Sequence, residues 1–200
     1  EPSDVVLDKD DWILKRTKQI STPIFETVSI AVADSSGNKN GEFEPGEQAE
    51  LVIELENIGL PASEVTGELV TDEADITIIS NTATFGDFSI GGKASNADYP
   101  FVISARDRAA SHIAKLVLKL QCEEGFTEEV TFYLNLGQAN ILLVDDDNGV
   151  NYERHVEQIA VQAALLTKTW DVHSSIDLTV EQMQKYQVVI WFTGDDRTTS

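Results

Sequence analysis

Along the first two thirds of the chain, hydrophobic residues recur at every second position. Val28, Ile30 and Val32 alternate with small or polar residues. Leu51, Ile53 and Leu55 do the same, with Glu50, Glu54 and Glu56 on the other side. A period of two puts one row of side chains into a core and the other into water, which marks half-buried strands. The same reading predicts strands over 65–69, 76–79, 101–103, 116–120 and 130–136. In the last of these, Val130, Phe132, Leu134 and Leu136 share one face. Turn-forming residues fill the gaps, as at Asn57-Ile58-Gly59-Leu60-Pro61 and Gly91-Gly92. Roughly seven strands with no helical stretch predict an all-β Ig-like sandwich over residues 24–137.

Past Gly137 the pattern changes. Ile141-Leu142-Leu143-Val144 is a continuous apolar run, as expected of a strand buried on both faces of a parallel sheet. Tyr152, Val156, Ile159, Ala160, Ala163 and Leu166 then recur at helical spacing. A short strand is expected over 169–173, and a capping box, Thr179-Val180-Glu181-Gln182, opens a short helix through Tyr186. Val188-Val189-Ile190-Trp191-Phe192 is a second continuous apolar run and is expected to be a third buried strand. Alternating strands and helices predict right-handed crossovers and parallel pairing in the order second, first, third. Residues 138–200 are therefore expected to be the N-terminal part of a truncated α/β unit of flavodoxin or amidotransferase type. Residues 1–23 are expected to be the tail of a preceding domain or a tether.

Charge narrows the range of partners. The 200 residues carry 14 Lys plus Arg against 35 Asp plus Glu, a formal net charge of −21. Such a chain repels nucleic acid and anionic membranes, and no apolar run is long enough to insert into a bilayer. It attracts divalent cations wherever carboxylates converge. Cys122 is the single cysteine, so no intrachain disulfide can form, and its apolar surroundings make it a small core residue. No basic-then-apolar leader stands at Glu1, so any signal peptide is expected to have been removed or to lie upstream.

The candidate chemistry lies in one loop, Asp34-Ser35-Ser36-Gly37-Asn38-Lys39-Asn40-Gly41-Glu42-Phe43-Glu44-Pro45-Gly46-Glu47. A hard cation takes six to eight oxygens from a loop able to curl around it. In EF-hand register Ser36, Asn38 and Asn40 take the first, third and fifth places, and Gly41 takes the sharp turn. Glu42 gives a backbone carbonyl, and Glu47 takes the twelfth, bidentate place. Position one should be Asp, and Asp34 stands two residues early. The other reading of the loop is an ion-free turn built on Asn, Asp and Gly.

The run from Asp34 to Glu47, followed by Ala49-Glu50-Leu51 and Asn57-Ile58-Gly59, resembles the opening of Ig-like, adhesion-type modules of secreted bacterial proteins. The resemblance implies calcium ligands at Asp34, Asn38, Asn40, Glu42 and Glu47. Asn40 stands where the family more often has Asp, which removes one negative charge. The segment 141–147, with Tyr152-Glu153 and 188–195, resembles the start of class I glutamine-amidotransferase-like domains. There the nucleophile follows the next strand, beyond Ser200. The triple acid Asp145-Asp146-Asp147 also evokes a receiver domain, but Phe192 stands at the phosphoacceptor place. The simpler expectation is a solvated strand end. The stretch Val5 to Lys15 is similar to the segment that closes the catalytic part of M1-type secreted aminopeptidases.

Taken together, these features predict a non-catalytic accessory region of a secreted or cell-surface bacterial protein. It would be a calcium-stabilised spacer or adhesion module with a scaffold α/β domain. Its partners would be other domains of the parent chain and a protein or carbohydrate ligand. The alternative is the rear of a secreted hydrolase, positioning an upstream peptidase domain.

Overall fold

A computed structural model describes residues 20–34, 37–147, 153–173 and 177–193. The stretch Val5 to Lys15, Ser36 and Tyr152 lie outside them.

Nine strands, β1 (Phe25–Ala33), β2 (Gln48–Asn57), β3 (Ala62–Val70), β4 (Ile76–Ser80), β5 (Thr82–Phe88), β6 (Gly92–Ser95), β7 (Phe101–Ala105), β8 (His112–Gln121) and β9 (Thr127–Leu136), form two antiparallel sheets. One sheet runs β1-β2-β7-β4, with β6 also on β2; the other runs β5-β3-β8-β9. The inward rows of the two sheets make one core: Leu51, Ile53 and Leu55 from β2, Phe101 and Ile103 from β7, Leu116, Leu118 and Leu120 from β8. This is a β-sandwich.

Two of its strands carry no plain alternation in the sequence. In β5, Ala83 and Phe85 are buried, but Gly86, at φ +80, slips the register so that Phe88 is the next buried residue. In β6 no residue is fully buried, and the strand is held by its backbone pairing to β2.

Asn96, Asn57 and Gly59 tie the sandwich together where the strand ladders stop. Between the pairings of β2 with β6 and with β7, the Asn96 side chain continues the ladder. Its Oδ1 accepts the Ile53 N–H at 2.6 Å, and its Nδ2 donates to the Leu51 carbonyl at 3.1 Å. Asn57, fully buried, accepts the N–H groups of Ile24 and Gly59 and donates to the carbonyl of Leu60. The adjoining backbone bonds Ile58 to Ile24 and Leu60 to Thr22 draw the chain entry against this turn. A Cβ on Gly59 would stand 2.4 Å from the Ile24 nitrogen, so only glycine permits that approach. The Asn-Ile-Gly run is thus the clasp that fixes β1.

The remaining strands are β10 (Ile141–Asp145), β11 (Thr167–Asp171) and β12 (Val188–Phe192), with helices α1 (Glu153–Gln162) and α2 (Val180–Met183) between them. They pair parallel in the order β11-β10-β12, the order expected from the two short crossovers. The strand expected at 169–173 begins two residues earlier, because its pairing starts at Ile141 opposite Thr167. Burial differs from expectation at β12. Leu142, Leu143 and Val144 of the central strand are fully buried, whereas Val188, Val189 and Trp191 are exposed. An edge strand is not covered on both faces merely because its residues are apolar. The capping box is present: Thr179 accepts the Gln182 N–H, and the Gln182 side chain accepts the Thr179 N–H. The helix it opens is only one turn long.

Candidate functional site

The loop between β1 and β2 is held by its own polar groups. Asp34 is 4% exposed. Its Oδ2 accepts the Asn40 N–H at 3.0 Å and its Oδ1 accepts the Gly41 N–H at 3.1 Å. Burial pushes this carboxyl up, but backbone N–H groups from Gly41, Asp34, Asn40 and Lys39 outweigh it and hold the group below the ordinary carboxylate value. Asn38 Oδ1 accepts the Asn40 N–H at 2.9 Å, and Asn40 Oδ1 accepts the Glu42 N–H at 2.8 Å. These are side-chain turns that curl the chain two residues at a time. Lys39 at φ 63 and Gly41 at φ 74 supply the left-handed steps.

Glu47 closes the loop. Its Oε1 accepts the Asn38 N–H at 3.1 Å and its Oε2 accepts the Glu44 N–H at 3.0 Å. Glu44, which the sequence reading left out of the ligand set, lies between them: its Oε2 takes the side-chain amides of both Asn38 and Asn40. It occupies the ninth place of the EF-hand register, and that was the available signal. Asp34, Asn38, Asn40, Glu44 and Glu47 therefore form one hydrogen-bonded oxygen-rich curl.

Glu42 behaves differently. Its side chain leaves the curl for the parallel unit, where Oε1 meets Lys168 Nζ of β11 at 3.4 Å. The neighbouring Phe43 is buried in the sandwich core and its carbonyl accepts the Gly137 N–H at 2.7 Å. The donor set is all oxygen and suits a hard cation. Among the described residues, however, no three Asp, Glu, His or Cys side chains gather closely enough to hold an ion. The curl as it stands is closed by its own N–H groups.

The triple acid sits at the C-terminal end of β10. Asp146 and Asp147 are 6% and 3% exposed, so this is not the solvated strand end expected from sequence. Asp147 N–H bonds Asp145 Oδ1 at 3.2 Å, and Trp191 Nε1 donates to Asp146 Oδ2 at 3.1 Å. Burial, with the charges of Asp147 and Asp171 nearby, raises the Asp145 carboxyl above its ordinary value despite the Asp147 N–H bond. Phe192 lies directly across from Asp145 in the pairing. Cys122 is buried, and its single S–H is shared between the Phe126 carbonyl and the Glu124 carboxylate. His112 joins Glu73 and the Ala110 carbonyl on the sandwich surface. Among the described residues no helix is long and apolar enough to cross a membrane.

The chain is thus a β-sandwich with a polar curl between its first two strands and a parallel three-stranded unit behind it. No family model matches it, and no curated protein matches its sequence. Distant likenesses to solved structures exist. The archaellum periplasmic stator complex FlaF and FlaG from Sulfolobus acidocaldarius is 12% identical over 60% of this chain and 97% of that chain, with a TM-score of 0.28. A family 123 glycoside hydrolase from Clostridium perfringens is 10% identical over 64% of this chain and 30% of that one, at 0.30. A lipoprotein from Bacteroides thetaiotaomicron is 14% identical over 66% and 90%, at 0.27. Likenesses this distant define no family.

Proposed function

We propose that the chain is a non-catalytic accessory region of a secreted or cell-surface bacterial protein. The sandwich serves as an Ig-like spacer or adhesion module stiffened by calcium, and the parallel unit belongs to an α/β scaffold domain. The observation that carries this reading is the oxygen-rich curl. Asp34, Asn38, Asn40 and Glu47, joined by Glu44, are already drawn together by shared hydrogen bonds. Glu42 would add its backbone carbonyl. A calcium ion would replace the N–H groups that now satisfy these oxygens and relieve the repulsion among Asp34, Glu44 and Glu47 in a chain of net charge −21. Affinity on the order of 10⁻⁴ to 10⁻³ M suits a module working in millimolar extracellular calcium.

Thermal unfolding with calcium, with magnesium and with chelator tests the reading, on the wild type and on Glu47→Gln. Calcium at about a hundredfold over its Kd should add roughly 2.7 kcal/mol. Magnesium should substitute poorly, because it requires a tighter octahedron. An unchanged melting temperature in chelator would reduce the loop to a turn.

A further inference from the structure

A cation of the protein's own stands at the edge of the acidic loop. Lys168 Nζ lies 3.4 Å from both the Asn40 carbonyl and Glu42 Oε1. The Glu42 side chain is 10% exposed, and its second oxygen, Oε2, is buried without a hydrogen-bond partner among the described residues. Lys168 comes from β11 of the parallel unit, not from the sandwich. The two units otherwise face each other across a crevice of about 790 Å³, between Ile30, Phe132 and Leu134 on one side and Val161 on the other. Among the described residues a further feature ties the units: Asn135 Nδ2 donates to the carbonyl of Thr167, beside Lys168, at 2.7 Å.

We propose that Lys168 is a tethered counter-ion of the curl: its contact with Asn40 and Glu42 docks the parallel unit on the sandwich, and a divalent ion in the curl opposes that docking. The physical reason is like-charge repulsion. A calcium ion held by Asn40 and the Glu42 carbonyl would sit within a few ångströms of an ammonium group bound to the same two residues. Linkage makes the effect reciprocal: whatever calcium does to docking, docking does to calcium affinity. The second half of the proposal rests on the calcium reading above; the docking half does not.

The experiment has two arms on the full chain. Calorimetric titration with calcium should show Lys168→Met binding about three- to tenfold more tightly than wild type. Lys119→Met, which removes an equal charge paired with Glu129 on another part of the sandwich, should bind as wild type does. Amide exchange without calcium should be faster over 167–171 in Lys168→Met, with the sandwich strands unchanged. In the wild type, calcium should produce the same local acceleration. Equal calcium affinity in wild type and Lys168→Met, or an equal gain in Lys119→Met, overturns the antagonism. Unchanged exchange over 167–171 in Lys168→Met overturns the docking. If no variant binds calcium, the calcium reading and the antagonism both fall, and the exchange arm alone decides whether Lys168 docks the unit.

Discussion

Gly37 and Glu47 lie so close that a Cβ on Gly37 would stand 2.5 Å from Glu47 Oε1. The missing side chain is what lets the Glu47 carboxylate reach across the loop to the Asn38 N–H. Gly37→Ala should push Glu47 outward and leave the Asn38 and Glu44 amides to solvent. We expect a loss of about 1–2 kcal/mol by chemical denaturation, close to that of Glu47→Ala. The double variant should lose little more than either single one, because both remove the same contact. Full additivity would refute the coupling.

Asn96 is 1% exposed and bonds the backbone of β2 in the gap between β6 and β7. Asn96→Ala leaves a buried N–H and a buried carbonyl with nothing in reach. A loss of roughly 2–4 kcal/mol is expected, larger than for truncation of an exposed asparagine such as Asn38. Asn96→Asp keeps the acceptor, loses the donor and buries a charge, so it should be no better than alanine at neutral pH. Equilibrium unfolding of the three variants decides the order.

Gly59→Ala should cost more than a mid-strand glycine substitution ordinarily does. The added Cβ meets backbone, at 2.4 Å from the Ile24 nitrogen and 2.5 Å from the Thr22 carbonyl oxygen, and neither can swing aside. The clasp on β1 should open, and amide exchange should quicken at Ile58 and Leu60, whose N–H groups bond Ile24 and Thr22. Native protection at both amides would contradict this account.

The acid limb of stability should depend on Glu124. Hydrogen bonds from the Cys122 side chain, from its own backbone N–H and from Ser63 hold its carboxyl at about 2, against an ordinary 4.5. A carboxyl lowered in the folded state stabilises the fold above its unfolded value, and that contribution is lost as pH falls through the folded value. Melting temperature should therefore decline between pH 4.5 and about 2, and Glu124→Gln should flatten that decline. Asp34, also lowered, acts in the same direction. An identical acid limb in Glu124→Gln would exclude Glu124 as a cause.

Much of this architecture is written in short-range pattern. The alternation in β2, β8 and β9 survives folding residue for residue, because a strand with one wet face must sort its side chains at every second position. The continuous apolar run of β10 and the capping box at Thr179 are equally local. The curl was legible as well: Asn38, Asn40 and Glu47 bend the chain through bonds spanning two to nine residues.

What sequence could not decide depends on partners distant along the chain. Strand β6 exists because β2 offers it an open edge, not because its residues demand it. The exposure of β12 follows from its place at the edge of the parallel sheet, which its apolar composition cannot reveal. Asp146 is buried at the close of the β10–β12 pair, where its N–H bonds the Phe192 carbonyl and Trp191 reaches back to its carboxylate. The clearest case is Glu42. Its position in the loop register assigns it a backbone role, yet its side chain is committed to Lys168, 126 residues away. Local periodicity fixes which face a residue takes. Only the assembled fold decides which charge waits on the other side.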